Sequence, residues 1–142
     1  MLRTKEPGRY SILIADDDAA SRESLRDIVE PEGFQAVLAG DGEEALDIVQ
    51  RRPVHLLVCD MYMPRLTGLE TLQLARQINA VLPCILVSAD VTDQLMRRAL
   101  LAKAYSVIAK PVSKNVLLYT VVRALVKAYE RTEQSKEPPA PV

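Results

Sequence analysis

The stretch Ile12-Leu13-Ile14-Ala15-Asp16-Asp17-Asp18 passes from four apolar residues straight into three carboxylates. The same change of character recurs at Leu56-Leu57-Val58-Cys59-Asp60, with Met61-Tyr62-Met63-Pro64 directly after it. Short apolar runs without polar alternation read as strands buried on both faces, the pattern of a parallel sheet covered by helices on each side. A carboxylate that ends such a strand is costly unless something pairs with it or coordinates it. Two acid-loaded strand ends therefore predict a divalent cation and a reaction at phosphorus.

Outward from these runs, strands and helical patterns alternate. Strands are predicted over residues 10–15, 34–38, 54–59, 84–87 and 105–109. Helices are predicted over 19–30, 42–51, 68–80, 93–102 and 114–129, with Asp18, Asp41, Thr92 or Asp93, and Ser113 at their starts, where short polar side chains cap free backbone N–H groups. Short connections and right-handed crossovers then give a doubly wound, three-layer α/β domain, (βα)5. In such sheets the functional site lies beyond the carboxyl ends of the strands. Both acidic clusters fall on that edge, as do Ser88 and Lys110.

Length and composition agree with one globular domain. The chain has 142 residues, 49% of them hydrophobic and 26% charged, and a net charge of −1. No basic stripe or helix-turn-helix recommends direct binding to nucleic acid, and no apolar stretch is long enough to span a membrane. Cys59 and Cys84 lack metal-site spacing and read as reduced core thiols, which with the absence of a leader pattern gives an expectation of a cytoplasmic protein. Residues 1–9 read as an N-terminal extension, 10–130 as the domain, and 131–142 as a disordered Pro-rich tail or linker.

The chemistry follows from four strand ends. Asp17 and Asp60 offer hard oxygens suited to Mg²⁺ (or Mn²⁺), with Asp16 joining through water. Lys110 brings a fixed positive charge and Ser88 a hydroxyl for a phosphoryl oxygen. Asp60 stands alone on its loop and is the better nucleophile. His55, the single histidine, begins its strand at the end opposite the acids and reads as a surface residue.

Ile12-Leu13-Ile14-Ala15-Asp16-Asp17, Asp60-Met61-Tyr62-Met63-Pro64 with Gly68, Ser88-Ala89 and Lys110-Pro111, in this order over about residues 10–129, resemble the receiver domain of two-component response regulators. The resemblance implies a flavodoxin-like sheet of order 2-1-3-4-5. It implies that Asp60 takes a phosphoryl group from a sensor histidine kinase or phosphotransfer protein, the domain catalysing only its own phosphorylation and dephosphorylation. It further implies Mg²⁺ held by Asp17, Asp60 and the backbone carbonyl of Tyr62, with Asp16 assisting, and a phosphoryl group held by Ser88, the Ala89 backbone and Lys110. Tyr62, by the same likeness, should hinder water at the acyl phosphate.

The chain departs from the pattern at two places. Val107 stands where receivers usually carry the ring that moves with the Ser88-type hydroxyl, and Tyr105 is expected on the same side of the strand, one pleat away. Lys103 stands where a glycine is common. The last helix has a core stripe, Leu117, Val121, Ala124, Leu125 and Ala128, and a second stripe, Leu118, Val122, Val126 and Tyr129. With Met96 and Leu100 this second stripe predicts a partner or homodimer face on the last two helices and fifth strand. Three other readings stay open. One is a phosphorylation-independent receiver-shaped scaffold. Another is a haloacid-dehalogenase-like phosphatase using Asp16 in Asp16-Asp17-Asp18. The third is the N-terminal part of a longer regulator or kinase.

Overall fold

The computed structural model describes residues 10–130, so the expected N-terminal extension and Pro-rich tail lie outside the described residues. Five parallel strands, β1 (Ser11–Ala15), β2 (Gln35–Ala39), β3 (Leu56–Asp60), β4 (Cys84–Ser88) and β5 (Ser106–Ala109), lie in the order β2-β1-β3-β4-β5. They alternate with α1 (Ala19–Val29), α2 (Gly42–Arg51), α3 (Gly68–Ile78), α4 (Asp93–Leu101) and α5 (Lys114–Leu125). A short turn of 3-10 helix, Glu30–Glu32, follows α1, and a π-helical turn, Val126–Glu130, ends the described chain. No helix among the described residues is long and apolar enough to cross a membrane.

The strand pleat divides the apolar residues between two cores. Ile12, Ile14, Val58, Ile85 and Val87 pack with Leu25 and Val29 of α1 and Leu117 and Val121 of α5. Leu13, Leu57, Cys59 and Leu86 pack on the other side with Ala45, Leu72 and Ala99 from α2, α3 and α4. Helices on both faces explain why the strands read as continuous apolar runs. The helix starts are capped as expected by Asp18, Asp41, Thr92 and Ser113, and Thr67 forms a reciprocal capping box with Glu70 at α3. Each such cap contributes about 1 kcal/mol.

Three expectations need revision. Tyr105 and Val107 do not share a side: Tyr105 packs with the α1–α5 core and Val107 with the α2–α4 core. The strand begins only at Ser106, so pleat alternation does not reach Tyr105. His55 is not a plain surface residue. Its Nδ1 accepts the Ser11 backbone N–H at 2.9 Å, and its ring makes edge contacts with Tyr10 and Tyr129. In the proposed partner face, Met96 and Leu100 are exposed, whereas Leu118, Val122, Val126 and Tyr129 are half-buried against the α1–α5 core.

Tyr129 closes the end of the molecule away from the acids by donating its hydroxyl to the His55 carbonyl at 2.7 Å. Burial, with Tyr10 and Cys84 adding to it, pushes its phenol up to about 12. An unfolded tyrosine ionises near pH ~10, so between there and about pH 12 the folded state keeps a proton the unfolded state has lost. Stability therefore falls as pH rises through that window. Tyr129→Phe should cost about 1 kcal/mol at neutral pH through the lost hydrogen bond. It should also show a shallower alkaline decline, measured by urea midpoints at neutral and alkaline pH.

Lys103 lies in the left-handed backbone region, at φ 64°. A residue with a Cβ pays about 1–2 kcal/mol there, which glycine avoids at some entropic cost in the unfolded chain. Lys103→Gly is expected to raise stability by about 0.5–1 kcal/mol, read as a higher urea midpoint at unchanged slope.

Candidate functional site

The sheet order brings the ends of β1 and β3 side by side and sets β4 and β5 next to them. Asp16 follows β1, its backbone N–H donating to the Ala39 carbonyl at 3.1 Å and so fastening the acidic turn to β2. Its Oδ1 accepts the Asp18 N–H at 2.9 Å, and its own carbonyl accepts from Arg22 Nη1 at 2.7 Å. Asp60 is the last residue of β3. Asp16 is 1% exposed and Asp60 7%, whereas Asp17 points to solvent.

Lys110 sits between the two buried acids, its Nζ 2.8 Å from Asp60 Oδ1 and 3.3 Å from Asp16 Oδ2. The lysine is placed by its own backbone N–H, which donates to the Ser88 carbonyl at the end of β4. Burial raises the Asp60 carboxyl above the usual carboxylate range, and the charge of Asp16 adds to this. Hydrogen bonds from Lys110 and the Tyr62 backbone oppose it without cancelling it. Lys110 answers in kind. Burial alone would lower its ammonium, but the Asp60 hydrogen bond and the charges of both acids raise it. One cation thus serves two buried carboxylates, which leaves excess negative charge at the site.

The donor set suits a hard divalent cation. Asp16, Asp17 and Asp60 each offer a carboxylate oxygen, and these atoms lie within 4.8 Å of one another. Asp16 already engages Asp18 with one oxygen and Lys110 with the other, which suits contact through a water better than direct ligation. Tyr62 is 55% exposed, its ring outside the core between buried Met61 and Met63.

Ser88 and Ala89 lie beside this centre, but the Ser88 hydroxyl is turned into its own loop. It donates to the Asp90 carbonyl at 3.1 Å and accepts the Asp90 N–H at 3.2 Å. Ala89 is exposed at the start of that loop, while Val107 is half-buried beneath it against the core. Two arginines were not anticipated. Arg22 holds the acidic turn from α1, and Arg65 pairs with Asp41 at 2.6 Å and Glu43 at 3.0 Å, tying the loop after β3 to α2. Arg22 lies six residues past Asp16 in the first turn of the helix that Asp18 caps, near enough in sequence for a local reading to flag it. Arg65 has partners more than twenty residues away, which only the tertiary fold brings near.

Fold and site together define a doubly wound parallel α/β domain with an acidic, lysine-bridged centre at the carboxyl edge of its sheet. The family model described as the response regulator receiver domain matches residues 12–122, and the chain belongs to that family. It is 37% identical over 121 residues to response regulator RR06 of Streptococcus pneumoniae, covering 84% of this chain and 54% of that protein. It is 31% identical over 126 residues to the sensor histidine kinase RcsC of Escherichia coli, covering 89% of this chain but 13% of that one. A solved CheY-like receiver domain protein from Methanospirillum hungatei superposes with a TM-score of 0.82 at 28% identity, over 86% of this chain and 98% of the other. The chain thus spans about half the length of the response regulator it matches, and the same domain also occurs within a histidine kinase.

Proposed function

We propose that Asp60 is the phosphoacceptor of this receiver domain, taking a phosphoryl group from a histidine kinase or phosphotransfer protein in the cytoplasm. The observation that carries the reading is a buried strand-end carboxylate 2.8 Å from Lys110, with Asp16 and Asp17 within coordinating reach. Asp17, Asp60 and the Tyr62 carbonyl would hold Mg²⁺, with Asp16 acting through a water. Bound there, the ion would neutralise charge on the transferring phosphoryl group.

The chain's own residues supply the rest. An Asp60 oxygen attacks phosphorus as the bond from phosphorus to the donor's imidazole nitrogen breaks, and the nitrogen keeps the electron pair. Lys110 follows the charge from carboxylate to phosphoryl oxygen. The Ser88 hydroxyl has to leave the Asp90 carbonyl to reach a phosphoryl oxygen, with the Ala89 N–H beside it. That rearrangement links phosphorylation to the loop leading into α4, whose exposed Met96 and Leu100 belong to the proposed partner or dimer face. The test is intact mass after incubation with acetyl phosphate and Mg²⁺. One added phosphoryl group is expected, absent when Mg²⁺ is chelated from the start, and no mass gain would refute the reading.

Tyr62 shapes the loss of the phosphoryl group to water. Its exposed ring stands two residues past Asp60, on the solvent side of the centre, where it obstructs water. Tyr62→Asn should shorten the lifetime of the phosphorylated form several-fold, followed by loss of the added mass after acetyl phosphate is removed.

A further inference from the structure

The far edge of the sheet carries a second feature unrelated to the acidic centre. Beneath the starts of β4 and β5, the α3–β4 loop, the α4–β5 loop and the end of α5 enclose an open groove of about 630 Å³. Its floor is apolar, formed by Pro83, Ala104, the Tyr105 ring, Ala124 and Ala128, with the exposed Val81 and Leu100 at its edges. Its rim is cationic, made of Arg76, Lys103 and Lys127, and no acidic side chain lines it.

None of the three cations forms an ion pair with a carboxylate among the described residues, although the chain as a whole is slightly acidic. Arg76 donates to the Leu82 carbonyl, and the Lys127 ammonium stands 5.8 Å from the Tyr105 ring centroid. Both heads are therefore held beside the floor. Lys103 completes the rim. Its left-handed backbone closes α4, with the Ala104 N–H donating to the Ala99 carbonyl and the Lys103 N–H to the Leu100 carbonyl, each at 3.0 Å. That cap leaves the Lys103 side chain exposed beside the groove.

We infer that this groove docks an acidic protein segment with an apolar anchor, its carboxylates meeting Arg76, Lys103 and Lys127 and its apolar side chain resting on the Tyr105 floor. The aliphatic floor and the net charge of −1 both disfavour an extended polyanion such as nucleic acid, which needs a broad basic track. The groove lies at the opposite sheet edge from Asp60, so the inference does not depend on phosphorylation.

The probe is a short fluorescent peptide of leucines flanked by glutamates, titrated into the full chain by polarisation and mapped by amide chemical shifts. Binding is expected to weaken with added salt. The shift changes should centre on Ala104, Tyr105 and Ala128. Lys103→Glu with Lys127→Glu should weaken binding by about tenfold or more. Glutamine in place of glutamate, or alanine in place of leucine, should each reduce binding. Matching melting curves establish that the reversed variant is folded, and Lys103→Glu alone serves if the double variant is not. Three results overturn the inference: no binding up to about 1 mM peptide, shifts that map elsewhere, or a single-stranded oligonucleotide that binds the groove as well as the peptide.

Discussion

Asp60→Asn is expected to abolish the mass gain from acetyl phosphate, whereas Asp16→Asn should slow labelling without removing it. An amide of the same shape has no anionic oxygen to attack phosphorus, so the loss should be complete rather than partial. It should also come without loss of fold. Burial holds the Asp60 carboxyl above the usual range, so ionisation there is less favourable in the native state than in the unfolded chain. For an acid raised in this way, stability is lost as pH climbs through the folded-state value. At neutral pH the charge at Asp60 therefore costs stability when no cation is bound. Asp60→Asn should then melt at or above the wild type without Mg²⁺, with Lys110 keeping Asp16 as its partner at 3.3 Å.

Adding Mg²⁺ should reverse that order. A cation bound only to the folded state stabilises the wild type by about 2.7 kcal/mol at a hundredfold excess over its dissociation constant. The variant, lacking a ligand, gains less. Thermal melts with and without Mg²⁺ beside the intact-mass assay separate a lost acceptor from a misfolded protein. If labelling survived in Asp60→Asn and vanished in Asp16→Asn, the nucleophile would be on the first strand, as in the phosphatase-like alternative.

What could be read from the residues was whatever a local rule controls. Strand burial is written in runs such as Leu56–Asp60, and helix starts in single polar residues such as Asp18 and Ser113. Strand ends carrying acid, hydroxyl and ammonium converge because a parallel sheet sends every strand end to one edge. What escaped depends on tertiary context. The Ser88 hydroxyl turns to the Asp90 carbonyl of its own loop, a direction on which composition is silent. Tyr105 changed sides because β5 starts one residue later than its apolar pattern implies. The second apolar stripe of the last helix was legible as apolar, but the packing of Tyr129 against Tyr10 and His55 depends on tertiary contacts that no local spacing reveals.

Gly68→Ala should be strongly damaging, costing about 3 kcal/mol. The reason is space rather than backbone sign, since Gly68 does not occupy the left-handed region that Gly33 does. A Cβ on Gly68 would lie 2.2 Å from the Asp60 carbonyl oxygen and 2.8 Å from both the Asp60 carbonyl carbon and Met61 Cα. These are backbone atoms at the end of a central strand, so no side-chain rotation relieves the clash. The first turn of α3 would have to lift, straining the Gly68 N–H bond to the Met61 carbonyl and the capping box of Thr67 and Glu70. It would also draw Leu69, Leu72 and Ala75 out of the α2–α4 core. For a domain of ordinary stability, about 5–15 kcal/mol, that is a large fraction. The displacement also reaches the chemistry, because the crowded atoms are those that aim Asp60 at Lys110. The folded fraction of Gly68→Ala should therefore label more slowly than wild type even after correction for unfolded protein. Gly40→Ala is the control, since its Cβ would meet only the ends of Arg22 and Glu44 at 3.5 Å, an ordinary contact. It should change stability by less than about 0.5 kcal/mol. Equal urea midpoints for the two alanine variants would show that α3 yields freely at Gly68, and the close approach of helix and acceptor loop would then carry no structural weight.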